Sequence, residues 1–197
     1  MGTTGVVVFV VLAVLVFWAV GAYNRLVRLK NAVSNAFGQI DVQLKRRYDL
    51  IPNLVEVARK YLAHEAQTLE AVIAARNHAR STEKTATTGP LSAAGLGALA
   101  SAEQALGGAL GRLFAVAEAY PDLKADQTMR ELSEEISSTE NRVGFSRQAY
   151  NDHVLAFNDA AAQFPALIVA RLFAFQPMPM LESTQSEEER QAVKVAF

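Results

Sequence analysis

Apolar and polar positions divide the chain into one uninterrupted apolar block followed by a series of helical stripes. Residues 1–24 carry no charged side chain, and residues 6–20 are a continuous run of Val, Leu, Phe, Trp and Ala. About 18 such residues at helical rise extend roughly 27–30 Å, one bilayer crossing. Beyond them Val33, Phe37, Ile40, Leu44 and Tyr48 recur at steps of three or four, the stripe of a helix continuous with the span. Pro52 is the first helix breaker, so Asp49-Leu50-Ile51-Pro52 predicts either a kink or a break, with Asp49 placed to cap a new helix. A second stripe, Leu54, Val57, Tyr61, Leu62, Leu69, Val72 and Ile73, leads into residues 81–90, a polar stretch without periodicity that reads as a loop. An Ala-rich third stripe holds Leu96, Leu99, Leu106, Leu110, Leu113 and Val116, and Tyr120-Pro121-Asp122 marks the next boundary, with Asp122 as cap. Met129, Leu132, Ile136, Val143, Tyr150, Val154, Phe157 and Ala161 then form a long bundle seam with a step of about 3.5. Thr139-Glu140 interrupts it, as either a mid-bundle polar contact or a solvated face.

There is no strand alternation and no hairpin signal. The expected fold is all-α: a short external N-terminus and transmembrane helix over residues 1–24, a long antiparallel three- to four-helix bundle over 25–164, and a Pro/aromatic segment with an acidic tail over 165–197. Gly107 and Gly111, four apart in the third stripe, predict either close helix–helix approach or local flexibility.

Charge narrows the function. With 19 Lys+Arg against 20 Asp+Glu the chain is not a basic nucleic-acid binder. The absence of cysteine excludes disulfides, thiolate nucleophiles and Cys-based metal sites. His64, His78 and His153 stand in no metal-helix frame, no glycine loop follows a strand, and no nucleophile has an identifiable base. The expectation is therefore a non-enzyme with no cofactor and no small-molecule substrate. Arg25, Arg28 and Lys30 follow the span directly, where anionic headgroups attract them. The same charges, by the positive-inside rule, leave the N-terminus outside and the body in the cytoplasm, as in a single-pass protein of the inner membrane. A cleaved signal peptide, for which Ala19-Val20-Gly21 would be the site, lacks the preceding positive charge. Lys45-Arg46-Arg47 falls about 30–35 Å beyond the bilayer on a straight helix, so it is expected to pair with Glu134, Glu135 or Glu140 rather than with lipid.

Several motifs resemble one family. They are Tyr23-Asn24-Arg25-Leu26-Val27-Arg28-Leu29, the block from Gln39 to Val55 that includes Arg46-Arg47-Tyr48-Asp49-Leu50-Ile51-Pro52, Ala119-Tyr120-Pro121-Asp122, Thr139-Glu140-Asn141-Arg142, Tyr150-Asn151-Asp152 and Phe164-Pro165. Together they resemble the LemA family over nearly the whole chain. The resemblance implies a bacterial single-pass membrane protein with a helical cytoplasmic bundle, and brings no catalytic residue with it. After Phe164-Pro165 the chain departs from the family form, with Ala174 and Gln176 where Gly and Lys are expected.

The C-terminal segment offers the candidate contacts. Phe173, Phe175, Pro177 and Pro179 either pack back on the bundle end as a plug or form a Pro-stiffened ligand for another chain. The apolar end at Phe197 suits capture by a sheet edge or a membrane protease, or else frays. The functional expectation is a membrane-anchored interaction protein acting by self-assembly or by binding a membrane partner. A regulatory accessory of a sensor or protease and an envelope or lipid remodelling factor are the alternatives.

Overall fold

The computed structural model describes residues 2–89 and 91–181. Among them the chain forms α1 (Thr3–Arg59), α2 (Ala66–Thr88), α3 (Ala93–Ala117), α4 (Pro121–Ala125), α5 (Gln127–Ala162) and α6 (Ala166–Leu172), with no strand. The all-α expectation holds. The 57-residue α1 carries the apolar block, the first stripe and the start of the second, Leu54 and Val57, whereas Leu69, Val72 and Ile73 lie on α2. Its first part is exposed along its length, with Val6, Phe9, Leu15 and Phe17 facing outward, as an apolar span requires in the absence of lipid. From Leu26 onward the same helix buries its stripe.

Pro52 does not break α1. A proline amide has no hydrogen, so the helix loses the bond that would close on the carbonyl four residues earlier, Tyr48. That carbonyl instead accepts from Arg76 Nε on α2 at 2.9 Å, which satisfies the group the proline orphans. The break expected at residues 49–52 falls at residues 60–65, where Tyr61 and Leu62 close the turn onto the Ala58 carbonyl. Asp49 is therefore an exposed mid-helix residue rather than a cap.

Three further expectations are corrected. Residues 81–88 are helical, the last two turns of α2. Their inward face is built from Glu83 and Ala86 rather than bulky apolar residues, while Ser81, Thr82, Thr85, Thr87 and Thr88 turn their hydroxyls back onto carbonyls three and four residues earlier. Asp122 lies inside the short α4, and the cap of α5 is Asp126, whose Oδ1 accepts from Met129 N at 2.9 Å. At Gly107 and Gly111 an added Cβ would meet nothing within 4 Å, so these glycines do not mediate close approach. They border an open groove between α3 and α5, floored by Arg47.

The helices run up, down, up and down. The Phe37–Tyr150 ring pair, with centroids 5.8 Å apart, and the Arg47–Glu140 ion pair set α5 antiparallel to α1. The α2–α3 hairpin covers the other side of α1, joined to it through Lys45–Glu83 and Arg76–Tyr48. One core of Val33, Ile40, Leu44, Ile51, Leu69, Leu106, Leu113, Ile136, Val143 and Phe157 runs through the bundle. A second, smaller core of Leu26, Ala160, Ala161, Val169 and Ala170 joins α1, α5 and α6 beside the span.

Since α2 extends only five residues past Glu83, the hairpin stops near the level of Ala36. Between that level and the span, α1 and α5 stand as a two-helix stalk. The segment after α6 completes it.

Candidate functional site

Three places concentrate polar chemistry. The first is at mid-bundle, where Arg47 is only 4% exposed. Its position in the seam is dictated by Leu44, Tyr48 and Ile51, which share its face of α1. Its NH1 lies 3.2 Å from Glu103 Oε2 on α3, itself buried, and its NH2 lies 3.5 Å from Glu140 Oε2 on α5. The Tyr48 hydroxyl donates to the other Glu103 oxygen. Burial and the neighbouring Glu103 charge push the Tyr48 hydroxyl far above its usual range, so it stays a donor. Arg147 stands beside this group, its pKa pulled down by burial and held up by Glu103. Thr139, fully buried, satisfies its hydroxyl on the Ile136 carbonyl at 2.7 Å. The seam interruption thus divides: Thr139 is internal, while Glu140 is exposed and reaches Arg47 from the rim. Two cations and two carboxylates balance, and they tie three helices together around α1.

Arg46 and Lys45 resolve the rest of the basic triplet. Arg46 Nε donates to Glu135 at 3.0 Å on the outer surface, so of the three anticipated acids Glu135 and Glu140 are the ones engaged. Glu134 lines the groove alongside Gly107 and Gly111. Lys45 pairs with Asp41 at 2.6 Å and lies 3.9 Å from Glu83. Glu83 is buried against Asp41, and desolvation together with that second carboxyl pushes its pKa up to about 7. Asp41 is desolvated too, yet the neighbouring Glu83 carboxyl and the Lys45 ammonium hold it below its usual value.

At the foot of the stalk Arg25, Arg28 and Lys30 are all exposed, and among the described residues they make no ion pair. Here the C-terminal segment folds back. Phe173 packs on Tyr23 with centroids 4.8 Å apart, and Phe175 sits between Tyr23 and Phe157. The chain turns at Ala174, whose φ of 54° lies in the left-handed region. Phe175 N donates to Ala170 O at 2.9 Å and Ala174 N to Arg171 O, the paired bonds of a Schellman turn that favours glycine at that place. This is the position where the resemblance led to an expectation of Gly.

From Phe175 the chain runs extended along α5. Asn158 exchanges two hydrogen bonds with Met178, Nδ2 to its carbonyl at 2.9 Å and Oδ1 from its amide at 2.8 Å. Asn151 does the same with Leu181, at 2.7 and 2.9 Å. The Tyr150 hydroxyl, pushed up to about 12 by burial, donates to the Pro179 carbonyl at 2.8 Å. The lengths match: seven helical residues rise about 10.5 Å and three extended ones about 10 Å. Pro177 and Pro179 fall where no amide donor is used. Phe173 and Phe175 therefore pack on α1 and α5 and the Pro179 carbonyl is held by Tyr150, while Pro177 is exposed and Phe197 lies outside the described residues.

Sequence reasoning singled out neither Glu103, Glu83, Arg76 nor the Asn151–Asn158 pair. The seven-residue spacing of the two asparagines on the seam side of α5 was the available signal. Among the described residues no group of three His, Asp or Glu side chains could hold a metal ion.

The family model described as LemA family matches residues 36–197. The chain belongs to the LemA family. This LemA-family chain is also 26% identical over 183 residues to Protein LemA of Metamycoplasma hominis, covering 92% of this chain and 79% of that one. It is 24% identical over 172 residues to Magnetosome protein MamQ of Magnetospirillum gryphiswaldense, and 26% identical over 174 residues to Magnetosome protein MamQ 2 of Paramagnetospirillum magneticum. Those alignments cover 78% of this chain and 62% of each MamQ protein, so it spans about three-fifths of their length. Family and apolar helix together mark a membrane-associated protein.

Proposed function

We propose that this chain is a single-pass, non-enzymatic interaction protein of the inner membrane, which presents a rigid helical rod to the cytoplasm and acts by self-assembly or by holding a membrane partner. The observation that carries the reading is the unbroken α1: one helix is both the span and the central element of the bundle. A helix that enters the body and organises its core transmits the position of the span to everything packed on it. The mid-bundle charges support the same reading, because Arg47, at the floor of the α3–α5 groove, is already paired with Glu103 and Glu140. The basic collar of Arg25, Arg28 and Lys30 supports the orientation with the N-terminus outside.

The test is the absolute mass of the particle extracted from native membranes in mild detergent, with every co-eluting chain identified. A defined multiple of 21.4 kDa, or one stoichiometric partner, is the expected result. A lone monomer carrying neither would overturn the proposal. Because the chain has no cysteine, Thr3→Cys checks the orientation: an impermeant thiol reagent added outside should label it, and labelling only after lysis would reverse the topology.

A further inference from the structure

We infer that α6 is an in-plane membrane foot, a second bilayer contact beside the span, whose outer face lies among the headgroups and upper acyl chains of the leaflet next to Arg25. Phe164, Ile168 and Leu172 stand four residues apart and share one face of the segment. They are 80%, 57% and 76% exposed, and Phe173 beside them is 54% exposed. The opposite face, Val169 and Ala170, is buried against Leu26, Ala160 and Ala161. The segment is thus amphipathic, with its apolar outer face uncovered by the rest of the chain.

Its placement decides what covers that face. α6 packs beside Ala19, Ala22 and Leu29 of α1, at the level where the apolar span gives way to Arg25. It turns 96° away from α5. Since α5 runs antiparallel along α1, a span near the membrane normal lays α6 close to the membrane plane. Trp18 and Tyr23 lie at the same level, the position favoured by interfacial aromatic rings. Arg25, Arg28, Lys30 and Arg171 surround the face with exposed cations suited to lipid phosphates. A cleft between Trp18, Ala22 and Arg25 on one side and Phe164, Pro165 and Ala166 on the other opens there as well. The apolar face is therefore continuous with the surface the span already presents to lipid, which makes the bilayer its occupant rather than another protein.

This inference rests on the reading of α1 as a span, and the experiment separates the two. Single cysteines at Leu12, Ile168, Leu172, Val42 and Phe145 are spin-labelled in the full-length chain, reconstituted in vesicles of phosphatidylcholine and phosphatidylglycerol. Collision rates with oxygen, which partitions into lipid, are compared with those of a water-soluble nickel chelate. Labels at 12, 168 and 172 should show an oxygen-to-nickel ratio several-fold above labels at 42 and 145, which are exposed on the body. A high ratio at 12 with 168 and 172 matching the body labels would overturn the foot and leave the span. A low ratio at 12 would remove both. Labels at 168 and 172 shielded from both reagents would mean that protein covers the face, which also overturns the proposal.

Discussion

The body of the bundle and the stalk beneath it share α1 and α5 yet are held together by different means. In the body, α2 and α3 complete four helices, and the buried charged side chains Arg47, Glu103 and Glu83 are paired, Arg47 with Glu103 and with the exposed Glu140, Glu83 beside Asp41 and the exposed Lys45. In the stalk the third wall is an extended strap, residues 175–181, paired to Asn151 and Asn158 by two hydrogen bonds each and wedged by Phe175. The body is locked by side-chain electrostatics in a low-dielectric interior, so losing one partner there strands a buried charge. The stalk is locked by amide pairs at half-buried positions, where water can replace what is lost. The two regions should therefore fail differently.

The largest effect should come from Glu103→Ala, which leaves Arg47 buried with only the exposed Glu140 as partner and the Tyr48 hydroxyl without its acceptor. Denaturant unfolding of the full chain in detergent should show a loss of about 3–5 kcal/mol, and the double variant Arg47→Met/Glu103→Leu should recover most of it. If Glu103→Ala costs no more than a surface change, the contrast between the regions is wrong. Glu83 should make the body pH-sensitive. Its folded pKa of about 7 lies above its ordinary 4.5, so its contribution is fully present below that ordinary value and is lost as pH rises through 7. Stability should fall by at most about 1.4 kcal/mol per pH unit across that window. Glu83→Gln should flatten the slope, while Asp41, whose pKa is lowered, acts only at more acid pH.

The stalk should respond more locally. Asn158→Ala should weaken the strap by about 1–2 kcal/mol. Hydrogen exchange should then quicken at the amides of Met178 and Leu181 and stay unchanged at Leu44; equal loosening of both would show that the regions are one unit. Arg76→Ala exposes the unpaired Tyr48 carbonyl and should cost about 1 kcal/mol. In a Pro52→Ala background that cost should shrink, because residue 52 then supplies the missing amide, and a fully additive double variant would refute the capping role. The smallest change is a gain: Ala174→Gly removes the left-handed penalty and should stabilise by about 1 kcal/mol or less, read as a raised Tm.

Periodicity revealed the body because its interior is mostly Leu, Ile and Val at helical steps, and the stripes of α1, α3 and α5 follow the seam residue by residue. It failed where the buried face is not made of large apolar side chains. Residues 81–88 escaped because Glu83 and Ala86 are their inward residues, and Pro52 suggested a break because its remedy, Arg76, lies 24 positions away on another helix. The basic triplet could be assigned to ion pairs from its distance along the helix, but Glu103 could not be named, since an isolated Glu in an Ala-rich stripe carries no mark of its burial. The strap left only faint traces: two prolines that forbid helix, two asparagines seven apart, and an alanine where the resemblance led to an expectation of glycine.

Because Pro52 is accommodated rather than used as a hinge, α1, with its apolar block crossing the bilayer as proposed, would be a lever with its fulcrum there. About 35 of its residues stand beyond the apolar block, a reach of roughly 50 Å, so a 10° tilt of the span sweeps the far end through about 9 Å. Any change in lipid thickness or lateral contact that leans the span is thereby magnified at the α1–α2 turn.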